Sequence, residues 1–446
     1  MKNFTLLKLL LFVFIATLAA CGKGTSVTGD LPVLLTNNVI IDPTSTIAYT
    51  GGVITNSAAV SDYGICYSST NPTPTVSDSK IPVTVNVFSF SAKIKGLALN
   101  TTYYVRTYAV NTAGTGYGDV VQFKTAATDQ SSAYGTVSTI AGSAEGYQNG
   151  TGTAALFNRP NAVALDAAGN MYVSDSYNSV IRKVNAAGVT TTLAGNGTLG
   201  YADGPAESAQ FYAPAGLVVD AAGNVFVADM GNNTIRKITP AGVVSTFAGS
   251  GYAGYSNGTG TAALFNAPAG LAFDATGNLY VADSGNNLIR MITPAGVVTT
   301  VVGSRGAGYV NGTGSTAILN KPSSIAFDAA GMMYVTEPVN NLIRKITKDY
   351  VVTTFAGGID TAALKLGKPQ AITIANDNMY VADGNGRIIK ISKDKVLTIM
   401  AGKTATGTTD GDGSTALFNH PQGLTSDSNG NIYVADFDNN RIRKVK

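Results

Sequence analysis

The sequence predicts an all-β protein in which a small β-sandwich is followed by a six-bladed β-propeller. One strand-and-turn motif recurs six times in the second part of the chain. Charged residues make up only 13% of the chain, whereas glycine occurs 51 times and tyrosine 21 times, a composition typical of a β protein rich in turns. The 446 residues also exceed what one core ordinarily organises, so we expect at least two domains.

The N-terminus has the pattern of a secretory signal. Lys2 and Lys8 precede an apolar run, 9–20, that is too short to span a membrane. The run ends in Leu-Ala-Ala followed by Cys21, which resembles the bacterial lipobox, and the resemblance implies cleavage before Cys21 and acylation of its thiol. The alternative is an uncut or simply secreted signal peptide. We expect a signal peptide over residues 1–20, a tether over 21–30, and a lipid anchor in the cell envelope. The outer membrane is favoured, and the face is left open.

Charge and cysteine content exclude two further features. Once Lys2 and Lys8 are removed, 28 basic residues remain against 27 acidic ones, so there is no cationic excess for nucleic acid. Cys66 is then the only cysteine besides Cys21, and an internal disulfide is not expected. We predict that Cys66 is a small buried apolar residue.

Residues 31–127 alternate apolar and polar side chains between turn clusters, which predicts a small β-sandwich. The segment 96–109, Gly-Leu-Ala-Leu-Asn-Thr-Thr-Tyr-Tyr-Val-Arg-Thr-Tyr-Ala, resembles the penultimate strand of a fibronectin type III domain. The resemblance implies that Tyr103 occupies the tyrosine corner. Residues 128–134 are expected to form a linker.

Residues 135–446 repeat one motif, and repeats at a fixed period decide a fold before other signals do. Each copy has an acidic residue at a strand end, a basic residue seven positions later and a proline about fifteen positions earlier. The acids are Asp175, Asp229, Asp283, Glu337, Asp383 and Asp436; the bases are Arg182, Arg236, Arg290, Arg344, Lys390 and Arg443; the prolines are Pro160, Pro214, Pro268, Pro322, Pro369 and Pro421.

Each copy holds four short β segments joined by tight turns, which is the pattern of a propeller blade. The region opens with 137–142, a fourth-strand sequence without a blade of its own, and its last copy stops after a third strand. We therefore expect the N-terminal strand to complete the sixth blade and close the ring.

The repeat resembles the NHL repeat, as in the copy that runs from Pro268 through Asp283 to Arg290. The resemblance covers residues 135–446. It implies a six-bladed propeller of a family used mostly to bind protein, RNA or glycan partners, with a minority of enzymes.

Residues present in every blade are first of all architecture. We interpret the repeated acid–base pairs as structural ties, and Phe157, Phe211, Phe265 and Phe418 as wedges between blades. The long crossings between blades share one face with the second-to-third turns, and long ordered loops on a rigid scaffold favour binding. The ligand-binding candidates on this face are Tyr147, Tyr177, Tyr201, Tyr255, Tyr309, Met230 and Phe437; the alternative is that each crossing tyrosine packs on its own loop.

Met230 and Phe437 belong to a set that differs from blade to blade. The residues that follow the strand-ending acids are Ser176, Met230, Ser284, Pro338, Gly384 and Phe437. The repeated architecture does not require these residues, because they differ between blades. We therefore expect them to contribute to the specificity for a ligand.

An enzymatic role finds little support in the sequence. Propeller hydrolases and lyases generally hold a metal or a base in the central channel, but His420 is the only histidine. Asp220, Asp274 and Asp328 end first strands and are weak metal candidates, for example for calcium, although each also suits a turn cap. No catalytic residue is assigned.

The functional hypothesis is a cell-envelope lipoprotein that acts as a binding module, with a glycan or a protein as ligand. We expect no nucleic-acid partner, a membrane contact only through the lipid anchor, and a monomer. The alternatives are a metal-dependent hydrolase or lyase with a site in the central channel, and a purely structural envelope protein.

Overall fold

The computed structural model describes residues 30–42, 44–56, 59–83, 89–128, 134–357 and 366–446. The predicted signal peptide, Cys21 and most of the linker lie outside these residues. The chain divides into two compact units: the first contains most of residues 30–122, and the second contains 123–446 with the short segments 38–49 and 94–101. Within the described ranges, no helix is long and apolar enough to cross a membrane.

The N-terminal strands form two sheets. The strands are β1 Leu34–Thr36, β2 Ile40–Ile41, β3 Ile47–Ile54, β4 Asp62–Ser68, β5 Ser79–Pro82, β6 Ser89–Lys95, β7 Thr102–Asn111, β8 Gly114–Tyr117 and β9 Val121–Lys124. One sheet has the order β1-β3-β2 with β6 paired to β3, and the other has the order β5-β4-β7-β8 with β9 paired to β7. The fibronectin type III resemblance and the boundaries 31–127 stay predictions.

Cys66 lies on β4 and is fully buried, as the sequence predicted. Its thiol donates a hydrogen bond to the carbonyl oxygen of Pro74, at 3.3 Å. Burial raises the pKa of Cys66 to about 11, although Arg106 acts in the opposite direction. The side chain is therefore a protonated, unreactive thiol at neutral pH.

The six predicted blades are present as six antiparallel sheets. Before the first blade come β10 Thr136–Ala141 and β11 Gly150–Thr151. Blades one to three contain β12 Pro160–Leu165, β13 Met171–Asp175, β14 Val180–Val184, β15 Val189–Ala194; β16 Pro214–Val219, β17 Val225–Asp229, β18 Thr234–Ile238, β19 Val244–Ala248; and β20 Gly258–Thr259, β21 Pro268–Phe273, β22 Leu279–Asp283, β23 Leu288–Ile292, β24 Val297–Val302.

Blades four to six follow the same scheme. They contain β25 Gly312–Thr313, β26 Ile325–Phe327, β27 Met333–Glu337, β28 Leu342–Ile346, β29 Val351–Gly357; β30 Pro369–Ala375, β31 Asn378–Asp383, β32 Arg387–Ile391, β33 Leu397–Gly402; and β34 Gly411–Asp412, β35 Pro421–Ser426, β36 Ile432–Asp436, β37 Arg441–Val445. The helical elements of the described residues are single 3₁₀ turns: Gly152–Ala154, Ser176–Asn178, Met230–Asn232, Gly260–Ala262, Ser284–Asn286, Gly314–Thr316 and Phe437–Asn439.

The ring of blades is closed. The first strand of each blade contacts the first strand of the next, and β35 of blade six contacts β12 of blade one. The N-terminal strand β10 pairs antiparallel with β37, with Val137 opposite Val445 and Ala141 opposite Ile442. This confirms that β10 supplies the fourth strand of blade six and covers its edge.

Large apolar side chains fill the joints between blades. Phe157, Phe211, Phe265 and Phe418 are fully buried, as predicted. Phe157 packs between Ile442 of blade six and Val173 of blade one. Leu319 takes the corresponding place in the joint before blade four. Each joint is therefore a separate small core, and the blades are held together by adjacent contacts.

The crossings between blades do not project freely from one face. Four of them contain a two-residue strand, and each of these pairs with the outermost strand of the following blade: β11 with β15, β20 with β24, β25 with β29, and β34 with β10. The crossings thus cover exposed edge strands. Part of each of these four crossings therefore has a structural role.

The repeated acid–base pairs are buried structural ties, as predicted, in five of the six blades. Arg182 donates from Nη1 to Asp175 at 2.8 Å, and both side chains are fully buried. The same carboxylate accepts the backbone N–H of Asn158 at 2.7 Å, which holds the crossing against the second-to-third turn. Burial raises the pKa of Asp175 to about 6, so the pair is charged at neutral pH.

Blade five corrects the prediction for Lys390. Asp383 pairs with Arg387, four positions later, and not with Lys390 seven positions later. The second-to-third turn is one residue shorter here, so Lys390 lies opposite Tyr380, as Lys183 lies opposite Tyr172 in blade one. Arg387, the first residue of β32, instead lies directly opposite Asp383. The basic partner of the acid is therefore at the beginning of the third strand of this blade.

Candidate functional site

The six first strands enclose a central cavity of about 580 Å³. Its wall consists mainly of small and apolar residues, among them Val163, Leu217 and Ile372. Of the described residues that line it, Lys321 is the only one with an ionisable side chain. The cavity is large enough for a small organic ligand, but its wall does not present the carboxylates or imidazoles of an acid–base or metal site.

We define the channel mouth as the end of this cavity where the first strands begin. It comprises the residue before each first-strand proline and the first two residues of each second-to-third turn. Pro160 lies opposite Asp175, so these two segments share one end of the blade. Met230, Ser284, Pro338 and Val339 line the cavity from the turns. The mouth is therefore formed by equivalent positions of all six blades.

Tyr177 and Phe437 meet at the mouth although they belong to blades one and six. Their rings are 6.2 Å apart and edge-to-face. The guanidinium of Arg159 lies 4.6 Å from the centre of the Tyr177 ring and 5.7 Å from that of Phe437. A hydrogen bond with Tyr177, with Asp438 and Glu145 nearby, raises the pKa of Arg159. Tyr177 remains 59% exposed, so the cluster presents an aromatic surface beside a permanent cation.

Met230 also lies at the mouth, so the structure brings three of the seven sequence-predicted binding residues to one end of the channel. Ser176, from the same variable set, is buried and donates a hydrogen bond to the carbonyl oxygen of Pro214 in blade two. The residues that follow the strand-ending acids therefore have two different roles. Met230, Ser284 and Pro338 line the cavity, whereas Ser176 links blade one to blade two.

The crossing tyrosines lie elsewhere, each on its own blade. Tyr147 is hydrogen-bonded to Thr192 on the outer strand of blade one, at 3.0 Å, and Tyr201 to Thr246 of blade two, at 2.9 Å. Tyr255 lies 3.9 Å from the guanidinium of Arg305, and Tyr309 is 61% exposed. Tyr147 and Tyr201 are thus bonded to the outer strands of two different blades, and Tyr255 lies against a residue of the following crossing. The alternative that each crossing tyrosine packs on its own loop stays a prediction.

His420 occupies the position before Pro421 at the mouth and is paired with Asp438 of blade six. Asp438 also lies 3.4 Å from Arg159. The carboxylate of Asp438 therefore contacts both Arg159 of blade one and His420 of blade six. Within the described residues, no group of three or more His, Cys, Asp or Glu side chains could hold a metal ion.

The first-strand aspartates cap turns at the opposite end of the blades. In blade two, Asp220 accepts the backbone N–H groups of Ala222 and Asn224, at 2.9 and 2.8 Å. Asp274 accepts the equivalent bonds in blade three, and Asp328 accepts the N–H of Met332 at 2.8 Å. These contacts support the turn-cap interpretation of the three weak metal candidates.

Sequence reasoning missed Arg159, Lys321 and Lys368. Each precedes a first-strand proline, and each has a left-handed backbone, with φ of 53°, 47° and 58°. The available signal was the variation of this position, which reads Arg159, Ala213, Ala267, Lys321, Lys368 and His420 around the ring. The repeated proline beside this position indicates a structural role and so hides the variation next to it.

Comparison with known families supports the repeat assignment. The NHL repeat family matches residues 265–290 and 418–445. The SMP-30/Gluconolactonase/LRE-like region matches residues 124–248. The chain therefore contains NHL repeats, as the sequence predicted.

Curated relatives match only parts of this chain. Teneurin-3 of Danio rerio is 26% identical over 332 residues, which is 58% of this chain and 11% of that protein. NHL repeat-containing protein 2 of Homo sapiens is 27% identical over 299 residues, 56% of this chain and 41% of that protein. Protein SUPPRESSOR OF QUENCHING 1, chloroplastic, of Arabidopsis thaliana is 41% identical over 96 residues, 21% of this chain and 9% of that protein. The chain spans less than half the length of each.

Solved structures match over most of the chain. A protein of unknown function from Bacteroides thetaiotaomicron has a TM-score of 0.54 and 16% identity, over 94% of this chain and 99% of that one. An auxiliary nutrient binding protein from the same organism has a TM-score of 0.54 and 14% identity, over 94% and 98%. One from Bacteroides ovatus has a TM-score of 0.53 and 14% identity, over 93% and 97%. At this identity the likeness shows the fold alone, and it confirms the all-β propeller.

Proposed function

We propose that this protein is a binding module of the cell envelope and that its ligand lies in the channel mouth. The observation that carries the proposal is the cluster of Tyr177, Phe437 and Arg159 above a cavity of about 580 Å³. A concave, mostly apolar pocket with a few polar groups at its rim is the usual form of a small-molecule site. Two solved structures with the same fold, the auxiliary nutrient binding proteins from Bacteroides, are in keeping with this role.

The arrangement favours binding over catalysis. A hydrolase or lyase of the kind considered above needs an acid, a base or a metal next to its substrate. Among the described residues that line the cavity, Lys321 alone can ionise, and the strand-ending acids are buried against arginines. Rigid aromatic side chains with a neighbouring cation instead offer contact area at low conformational cost.

Replacement of both Tyr177 and Phe437 by alanine is expected to weaken ligand binding by about 2 kcal/mol or more, since exposed aromatic anchors dominate binding sites. The ligand is first identified by screening the purified propeller-containing chain against glycan arrays and envelope extracts. Affinities of the variant and the wild type are then compared by isothermal titration calorimetry.

Two further variants make this measurement decisive. Tyr134→Ala removes a tyrosine that is 42% exposed and does not belong to the mouth, and it should bind like the wild type. Tyr201→Ala/Tyr255→Ala tests the outer edge. Loss of binding in this edge variant, with normal affinity in the Tyr177→Ala/Phe437→Ala variant, would move the site to the crossings and contradict the proposal.

We further propose that Cys21 is acylated, that the anchor is in the outer membrane, and that the fibronectin-like segment 31–127 spaces a monomeric propeller from the membrane. The basis is the lipobox resemblance at residues 18–21. Cells fed a radiolabelled or clickable palmitate should label the wild-type protein, and Cys21→Ala should abolish the label and release the protein from the membrane fraction. An unlabelled wild-type protein would refute the anchor.

A further inference from the structure

We propose that the ligand of the channel mouth is an acidic saccharide, whose anionic groups are bound along the arc of the mouth that carries Lys321, Lys368 and Arg159. This inference rests on the proposed function and specifies the class of ligand. The residues before the first-strand prolines are cationic or titratable in four consecutive blades, four to one, where they are Lys321, Lys368, His420 and Arg159. In blades two and three the same position is alanine. The cationic or titratable residues at this position therefore lie along one continuous arc of the mouth, from blade four to blade one.

The backbone at these positions is fixed by the preceding blade. Asn440 accepts the N–H of Arg159 at 2.8 Å, Asn287 accepts that of Lys321 at 2.8 Å, and Asn341 accepts that of Lys368 at 2.8 Å. A left-handed residue whose N–H is bound in this way has its side-chain direction set by the fold. The alanines show that the fold does not need a charge here, so the cations need another explanation.

The charge of the mouth is not fully balanced by the protein. Lys321 and Lys368 have no carboxylate within ion-pair distance among the described residues, whereas Arg159 lies 3.4 Å from Asp438. Glu145 accepts a hydrogen bond from Asn158 nearby. Among the described residues, these two carboxylates thus stand against the side chains of Arg159, Lys321 and Lys368 and against His420. An anion that enters the mouth meets a net positive field.

Neutral hydrogen-bonding groups lie just inside, in the same four blades. The residues after the first-strand prolines are Asn161, Ser323, Gln370 and Gln422 in these blades, and Ala215 and Ala269 in the other two. All four polar side chains line the cavity and are half-buried. None of them has a side-chain hydrogen-bond partner in the described part of the chain. Amides and hydroxyls in a half-buried wall suit the hydroxyl groups of a sugar.

The aromatic pair completes a saccharide site on the same side. Tyr177 and Phe437 belong to blades one and six, next to Arg159. The apolar face of a sugar ring stacks on such side chains, while its hydroxyls reach the amides and its acidic group reaches the cations. A concave site of about 580 Å³ fits one or two sugar rings better than the broad, flat surface of a folded protein.

The test compares matched probes on the full mature chain. They are a panel of uronic-acid oligosaccharides, their carboxyl-reduced neutral counterparts, the neutral sugars carrying sulfate esters, and an acidic peptide of equal charge. We expect the acidic saccharides to bind about 10-fold more tightly than the neutral ones, with an affinity that falls as salt rises. Preference for carboxylate or for sulfate identifies the source of the negative charge.

Lysine variants then test which residues bind the anionic groups of the saccharide. Lys321→Ala/Lys368→Ala should remove the preference of about 10-fold for acidic probes. The control Lys237→Ala/Lys444→Ala removes the same charge from lysines that lie against Phe226 and Tyr433, and it should keep the preference.

The outcomes separate the two proposals. Equal binding of acidic and neutral saccharides, weakened by Tyr177→Ala/Phe437→Ala, would overturn the acidic ligand and leave the mouth as the binding site. Binding of the acidic peptide alone, or acidic binding that survives Lys321→Ala/Lys368→Ala, would also overturn it. Binding that no mouth variant affects would overturn the proposed function itself.

Discussion

Replacement of Asp229 by alanine is expected to lower the free energy of unfolding by about 3–5 kcal/mol, because it leaves the buried charge of Arg236 without its buried partner. Both side chains are fully buried and 2.8 Å apart. The carboxylate also accepts the N–H of Tyr212 at 2.8 Å and the amide of Asn232 at 2.8 Å. Urea denaturation followed by circular dichroism would measure the loss, since the chain has no tryptophan.

The same arginine provides the control. Asp203 also pairs with Arg236, at 2.6 Å, but its side chain is 49% exposed. Asp203→Ala should therefore cost less than about 1 kcal/mol. Asp229→Ala/Arg236→Met removes the charge together with its partner and should recover part of the stability. Equal losses in Asp229→Ala and Asp203→Ala would show that the buried pair is not what holds the blade.

Deletion of residues 136–141 is expected to have the largest effect, a loss on the order of 5 kcal/mol or more. This strand pairs with four residues of β37 and buries Val137 and Ala141. Without it, β37 becomes an unpaired edge and the joint between blades six and one loses its outer strand. Thermal unfolding should shift to lower temperature and lose cooperativity, and size-exclusion chromatography should show association through the open edge.

A point substitution keeps this prediction measurable if the deleted chain does not fold. Val137→Ala should cost about 2 kcal/mol, because Val137 is 2% exposed and its loss leaves a cavity. Val189 belongs to the outermost strand of blade one and is 37% exposed, so Val189→Ala should cost less than about 0.5 kcal/mol. An unchanged stability after deletion of 136–141 would show that β10 does not close the ring.

Much of the propeller could be predicted from its repeat. The pattern of the second copy predicts strands over 216–219, 225–228, 234–238 and 243–248, which lie within two residues of β16 to β19. The wedge role of Phe157, Phe211, Phe265 and Phe418 is confirmed. Equivalent side chains of each blade pack against the neighbouring blades. A repeated motif therefore predicts the same contacts in each repeat. The exception, Lys390, fell where the repeat has lost one residue in a turn, and a fixed spacing could not locate the partner of Asp383.

The candidate site could be predicted only in part. Variation between blades, or a place in a second-to-third turn, indicates Tyr177, Phe437 and Met230. The length of the crossings indicates their tyrosines, since long loops usually bind ligands. The structure shows that short strands in four crossings pair with outer strands. The hydroxyls of Tyr147 and Tyr201 are bonded to Thr192 and Thr246 on the outer strands of two different blades. Loop length alone did not reveal this, because the pairing depends on the outer strand of another repeat.

The sequence by itself determined the all-β class, the six repeated blades, the strand that closes them and the phenylalanines that are buried in four of the joints. These follow from contacts that are local or lie between adjacent repeats, and periodicity records such contacts directly. Only the tertiary structure decided that Tyr177 meets Phe437, 260 positions away, and that Arg159, Lys321 and Lys368 share one mouth. These residues come together because the propeller closes into a ring. The spacing of residues along the chain does not show which side chains point toward the central channel of that ring.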